Sequence, residues 1–256
     1  MKIKVLYEDT NVLAIVKPTG VSVHGDGKSK DKTIGDWVLE NYPRMKNVGE
    51  NETYEYKNTK VEIKKPGIVH RLDRETSGIL LLAKNKKSYE SLKKQFSAPA
   101  LNIKEGIGLD EGESRVKKIY VAIVNGHTRH DRGVINKPIG RSPRDFRRYL
   151  AGRGVRGEIR EAITEYRVLK RFEISGFKYT YLEVRPKTGR THQIRVHLKY
   201  LNHPIVCDAL YNPDNPCPKG LTRMGLHAKS IEFKDLSGKA IKVESPIPRE
   251  FKEITG

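Results

Sequence analysis

The side chains best suited to chemistry lie in two short stretches. The first is HRLDRETSG, His70 to Gly78, a polar turn between two apolar segments that read as buried strands. Such a turn is where a rigid scaffold presents side chains to a ligand. Asp73 follows an apolar residue and has Arg71 and Arg74 beside it. A carboxylate set among cations stays in the charged form that a nucleophile or an electrostatic stabiliser requires. The same residues also fit a structural turn in which Asp73, Thr76 and Ser77 cap backbone amides. The second stretch is RPKTGRTHQIRVHL, Arg185 to Leu198. It reads as a helix from Thr191 to Leu201, capped by Thr191, with an apolar stripe of Ile194, Leu198 and Leu201. Arg195 then lies one turn from both His192 and Lys199, in a polar stripe beside the apolar one. Gly189 and Arg190 ahead of that helix suit an anion. His197 reads as a half-buried, hydrogen-bonded core histidine.

Other chemistries lack their spacing. His192 and His197 are five apart and fall on different helix faces, HExxH is absent, and no Cys/His spacing fits zinc, so no metal is expected. There is no GxGxxG after a strand and no GxxxxGK[ST], so no nucleotide cofactor is expected either. GxSxG is missing as well, which removes the serine hydrolase elbow. The two cysteines, Cys207 and Cys217, match neither a disulfide framework nor a zinc site, which makes a reducing compartment the expectation.

The elements that must position these residues are mostly strands. Val5–Tyr7 and Val12–Val16 read as a strand pair, and Thr33–Tyr42 as a helix capped by Thr33. Residues 44–65 are polar and read as a surface excursion. Ile79–Ala83 is a short continuous apolar run, typical of a strand buried on both faces. Lys87–Phe96 is helical in pattern, and Ser97–Ser114 reads as a loop insertion. Ile119–Val124 is a further central strand. Ala162–Lys170 and Phe177–Arg185 form a hairpin across Ser175-Gly176. Strands at Leu226–Phe233 and Ala240–Val243 close the chain. Because strands follow one another directly, the expected class is α+β, with a mostly antiparallel mixed sheet and flanking helices.

Charge points to the partner. The chain has 256 residues with 50 Lys+Arg against 31 Asp+Glu, a net charge of +19. Residues 137–200 hold 17 Lys/Arg and 6 Asp/Glu, a local 17 − 6 = +11. Within them, RSPRDFRRYLAGRGVR (Arg141–Arg156) has six arginines and one acid. The guanidinium fork matches phosphate geometry, so the segment reads as a mobile loop that closes on a polyanion. A solvated charged face is the competing reading. No apolar run reaches the ~18 residues of a membrane span. Glu8 and Asp9 interrupt any signal-peptide core, so a cytoplasmic protein is expected.

At this point a family resemblance becomes specific. HRLDRETSGILLLAKN (His70–Asn85) resembles the signature of the RluA-type pseudouridine synthases, HRLD-x-x-[ST]-[ST]-G. VLAIVKPTGVSVH (Val12–His24), KIYVAIVNG (Lys118–Gly126), TGRTHQIRVHL (Thr188–Leu198), NHPIVCDALY (Asn202–Tyr211) and LHAKSIEF (Leu226–Phe233) match in order. Nearly the whole chain is covered. The resemblance implies a catalytic domain over 1–256 without a separate N-terminal S4 RNA-binding domain, built around a central catalytic cleft. It implies isomerisation of uridine to pseudouridine in structured RNA, ribosomal or transfer, by a monomer that needs no metal and no cofactor. Asp73 matches the catalytic aspartate, which forms an adduct with the sugar or the base or assists a glycal route. Arg195 matches the arginine that pairs with that aspartate. Tyr120 matches the tyrosine that packs on the target base. Arg71 matches the arginine that replaces the flipped nucleotide. Lys118 lies two residues before Tyr120 on the same strand, and Arg141, Arg144, Arg147 and Arg148 sit where family members carry an RNA-gripping loop. Extrusion of the base is what a stacked helix would demand of such an enzyme. An RNA chaperone on the same fold, acting by binding alone, is the competing class.

Overall fold

The computed structural model describes residues 1–27, 29–56, 59–98, 115–152 and 154–256. The chain begins with β1 (Lys4–Glu8), β2 (Val12–Lys17), α1 (Ile34–Asn41), a 3-10 turn (Pro43–Asn47), β3 (Glu52–Tyr56), β4 (Thr59–Ile63), β5 (Ser77–Ala83) and α2 (Lys86–Ser97). There follow β6 (Lys117–Asn125), β7 (Arg132–Asn136), β8 (Ile139–Arg141), β9 (Tyr149–Ala151), β10 (Arg156–Arg160), β11 (Ile163–Ile174) and β12 (Phe177–Pro186). The last elements are α3 (Gln193–Tyr200), β13 (Leu226–Lys234), β14 (Ala240–Glu244) and α4 (Arg249–Thr255). They form two compact units, residues 1–116 with 230–245 and residues 117–229 with 246–256. The class is α+β, with a mixed, mostly antiparallel sheet.

In the first unit β1, β2 and β5 pair antiparallel, and β13 pairs with β14. Every residue of β5 is buried, which is why its sequence runs SGILLLA without alternation. Helix α1 starts where Thr33 and Asp36 form a reciprocal capping box, and α2 starts on Asn85 in the same way with Ser88. Residues 44–65 depart from the expected excursion: they hold the 3-10 turn and the β3–β4 hairpin. The 99–114 portion of the expected loop insertion lies outside the described residues.

In the second unit the order is β6-β12-β11-β7, all antiparallel. Alternate residues of β6 face opposite ways, and both faces are covered. Ala122 and Val124 pack with Leu182, Val184 and the α3 residues Ile194 and Leu198. Val121 and Ile123 pack with Tyr179, Leu221 and Phe251, the last supplied by α4, a closing helix where strands were expected to end the chain. Ser175 and Gly176 both take positive φ, 52° and 80°, as the two-residue hairpin between β11 and β12 requires. The arginine-rich segment is also a correction. It is a small antiparallel sheet, β10-β8-β9, in place of an open loop; Arg153 lies outside the described residues. Cys207 and Cys217, expected to stay reduced, are joined as a disulfide, their Cα atoms 5.0 Å apart. The turns of residues 208–216 fold the chain back far enough to bring them together.

Candidate active site

In the first unit, the turn that carries Asp73 is fastened by the strand end that precedes α1. Lys17 is fully buried at the end of β2, and its ammonium donates to the carbonyls of Pro18 (2.9 Å), Val21 (2.7 Å) and Arg74 (2.9 Å). Thr19 donates its hydroxyl to the Glu75 carbonyl (2.8 Å), and Arg74 Nε donates to the Gly20 carbonyl (3.0 Å). Three bonds therefore tie residues 17–20 to residues 74 and 75, on either side of which Leu72 and Thr76 are buried. A buried ammonium is tolerable only with this kind of multiple solvation by carbonyl oxygens. The Thr76 amide closes the turn on the main-chain carbonyl of Asp73 (3.1 Å). The expected turn is present, and this contact closes it through the backbone. His70 is structural: its Nε2 accepts the Leu81 amide (2.9 Å) and its ring stacks on Phe96 at 4.5 Å. Arg71 is exposed.

In the second unit, helix α3 begins later than the sequence pattern suggests. Its N-cap is His192, in the left-handed region at φ 55°, and no side chain caps it; Thr191 does not. The cause is the Gln193 side chain. Its Oε1 accepts from the Thr188 hydroxyl (2.7 Å) and the Arg190 amide (3.0 Å), while its Nε2 donates to the Ile163 carbonyl and the Thr164 hydroxyl. That network pins residues 188–193 against β11 and forces the sharp entry. Lys118, next to Tyr120 on β6, donates to the Thr188 carbonyl (3.3 Å). Tyr120 is partly buried against the Ala122–Val124–Ile194 cluster, opposite Val184 of β12.

Arg195, read as part of a polar stripe with His192 and Lys199, is buried, at 6% exposure. Its Nε and Nη2 form a two-pronged ion pair with Asp208, at 2.7 and 2.8 Å. Asp208 Oδ1 also accepts the amides of Leu210 and Tyr211, each at 3.0 Å. The guanidinium lies 4.9 Å over the Tyr211 ring. The Tyr211 hydroxyl accepts the Tyr149 amide of β9 (2.9 Å) and bonds His192 Nδ1 (2.9 Å). Arg141 of β8 in turn lies 5.4 Å over the Tyr149 ring. One chain of contacts therefore runs from the arginine-rich sheet to Arg195. Asp208 and Tyr211, which hold Arg195 in place, are the residues of this arrangement that sequence reasoning did not single out. Their signal was a carboxylate between apolar residues in HPIVCDALY. His197 is fully buried rather than half-buried, held by Thr164 (2.8 Å) and the Lys137 carbonyl (2.9 Å). Desolvation pushes its imidazole below the usual histidine range.

The turn between β8 and β9 is centred on Asp145. Its carboxylate accepts the Arg147 amide (2.9 Å) and two guanidinium bonds from Arg147 (3.1 and 2.9 Å), with Arg148 3.6 Å away. Arg147 holds that carboxyl down at about 2. Arg141, Arg144 and Arg147 are exposed, Arg148 half so. Arg190, also exposed, donates to the Glu161 carbonyl (2.9 Å). Among the described residues no three His, Cys, Asp or Glu side chains gather as metal ligands do, and no helix is long and apolar enough to cross a membrane.

Comparison with known proteins gives these features a family. A family model described as RNA pseudouridylate synthase matches residues 11–200. The ribosomal large subunit pseudouridine synthase D of Xanthomonas campestris pv. campestris is 34% identical over 98% of this chain and 68% of its own length. The protein of the same name in Borreliella burgdorferi is 34% identical, over 97% of this chain and 66% of its own. The chain thus spans about two thirds of the length of these curated relatives. Among solved structures, human RNA pseudouridylate synthase domain containing 1 superposes with a TM-score of 0.69 at 25% identity, over 96% of this chain and 84% of that one.

Proposed function

The chain belongs to the RNA pseudouridylate synthase family, a class of isomerases acting on RNA, and from that premise we propose that it converts specific uridines of structured RNA to pseudouridine. Ribosomal RNA of the large subunit is the first substrate to test, because relatives such as the two above carry that name; transfer RNA is the second. The reaction breaks the bond from C1′ to N1 of uracil and forms one from C1′ to C5. C5 gives up its proton and N1 takes one, so nothing is oxidised or reduced.

Asp73 is the catalytic aspartate in this reading, adding to the sugar or base, or assisting loss of the base through a glycal. Tyr120 packs on the target base, and Arg195 supplies the positive partner for the charge on the reacting carboxylate. Arg71 fills the gap left in the helix when the uridine is flipped out, since a stacked nucleotide hides its glycosidic bond. Lys118, Arg141, Arg144, Arg147, Arg148 and Arg190 contact RNA phosphates. The observation that carries the proposal is the family match over 11–200, a span that holds Asp73, Tyr120 and Arg195 together. The stapled turn around Asp73 and the buried Arg195–Asp208 pair support it, because positioned charge is what such chemistry needs.

The test is pseudouridine mapping of total RNA from cells lacking the gene, complemented with wild type or Asp73→Asn. One or a few sites restored by wild type alone is the expected result. Asp73→Asn should fold and bind RNA as wild type does while turnover is lost. A variant that still restores the sites would remove Asp73 from the chemistry.

A further inference from the structure

Phe146 is the most exposed large apolar side chain among the described residues, with 79% of its surface in solvent. It does not hang from a slack loop. It sits at the apex of the β8–β9 turn, where the Ser142 amide donates to the Arg148 carbonyl and the Arg148 amide to the Asp145 carbonyl, both at 2.9 Å. The Ser142 hydroxyl accepts the amides of Arg144 and Asp145 (3.3 and 3.4 Å). The carbonyl of Phe146 itself is held by Arg141 Nη1 (3.3 Å). Asp145 on one side and Arg147 on the other are clamped to each other by the ion pair described above. The ring is thus presented to solvent by a built turn.

Its surroundings decide what it can meet. Residues 139–160 contain seven arginines against two acids. A protein partner with an apolar surface gains nothing from that charge, whereas a polyanion that also carries flat aromatic groups complements both features. RNA with an unpaired base is such a ligand: phosphates engage guanidinium groups, and a splayed base stacks on an aromatic side chain. We propose that Phe146 is a stacking platform for an unpaired nucleobase of the substrate RNA, bracketed by Arg144 and Arg147 on the flanking phosphates. This rests on the RNA reading above and adds a requirement to it, namely that the substrate presents a single-stranded base beside its backbone grip.

The test uses the full chain and two labelled RNAs of the same length, a 20-nucleotide oligouridylate and a blunt duplex, with binding followed by fluorescence anisotropy over a range of salt. Phe146→Ala and Phe146→Leu should each weaken oligouridylate binding by about 5- to 150-fold, the range seen when a stacking aromatic is truncated. Phe146→Trp should bind at least as tightly as wild type, and duplex binding should stay unchanged in all three. The slope of log Kd against log salt should be unaltered by the Phe146 variants and shallower, by about 1–2, in Arg144→Gln/Arg147→Gln. If Phe146→Leu binds oligouridylate like wild type, stacking is excluded. If Phe146 variants lose binding only to phosphatidylglycerol vesicles, the ring is a membrane contact and the proposal falls. Wild type that binds neither RNA overturns the RNA reading itself, an outcome separate from tight wild-type binding that Phe146→Ala leaves intact, which sinks this proposal alone.

Discussion

Replacing Asp208 with Asn changes charge without changing shape, and the structure sets how much that should cost. The Asp208 side chain is fully buried, and its two oxygens take four donors: Arg195 Nε, Arg195 Nη2 and the amides of Leu210 and Tyr211. An asparagine in the same place keeps one oxygen, which suffices for the two amides and Nη2. Its NH2 group then faces Arg195 Nε at the 2.7 Å position now held by oxygen, donor against donor. The guanidinium, itself 7% exposed at the side chain, loses the anion beside it. Coulomb attraction at ~4 Å with an effective dielectric of ~20 is about 4 kcal/mol, in line with the roughly 3–5 kcal/mol lost when one member of a buried pair is removed. For a chain of this size each kcal/mol lowers Tm by about 2–4 °C, so Asp208→Asn should melt at least about 6 °C below wild type. It should also lose most pseudouridine formation at temperatures where it is still folded, because Arg195 is no longer aimed. Thermal melts and single-turnover assays on Asp208→Asn, Arg195→Met and Arg195→Met/Asp208→Leu provide the check. The double variant should recover a large part of the stability, since an apolar pair fills the space without a buried charge, yet remain inactive. A melt of Asp208→Asn within 2 °C of wild type, or additive losses in the double variant, would refute this account of the pair.

Two further outcomes follow from buried groups. Lys17→Met should destabilise the first unit by about 2–4 kcal/mol, because the carbonyls of Pro18, Val21 and Arg74 each lose a charged donor while the relief of burying no ammonium offsets part of that; chemical denaturation checks the stability, and loss of turnover in the folded variant checks the hold on the Asp73 turn. His227 is held neutral, its imidazole pushed down to about 3 by burial first and by the Arg223 charge second. Its folded-state value lies below the unfolded ~6.5, so the unfolded chain binds a proton the native one refuses, and stability falls as pH drops below 6.5. By pH 5 the His227 share of that loss is about 2 kcal/mol. His227→Phe should flatten the fall in Tm between pH 6.5 and 5, leaving the contributions of His24 and His197, whose imidazoles burial also pushes down and which therefore have the same sign; an unchanged pH slope would show that His227 is protonated in the fold.

Elements whose signals are local were legible in the chain itself. The threonine cap of α1, the unbroken apolar run of β5 and the two-residue turn at Ser175-Gly176 all depend on neighbours a few residues away, and each stands where its pattern places it. The HRLDRETSG turn was legible for the same reason. Readings failed where the local pattern is weak or where distant groups decide. The β3–β4 hairpin is polar enough to look like an excursion, because its alternation carries too little apolar contrast to announce a strand. The arginine segment folds as a sheet because β8 finds partners on both sides, which charge composition does not report.

The start of α3 shows the same limit. A threonine ahead of an amphipathic pattern is a sound cap signal, yet Gln193 reaches Ile163 and Thr164, thirty residues earlier, and moves the boundary to His192. Sequence alone determined the class of fold, the basic character of residues 137–200 and which motif holds the candidate carboxylate, since these follow from local pattern and composition. Tertiary structure alone decided that Lys17 fastens the Asp73 turn and that Asp208 partners Arg195. Such pairings are fixed by burial: a charge taken out of water must find its counter-groups wherever the fold brings them, and no spacing along the chain records that distance.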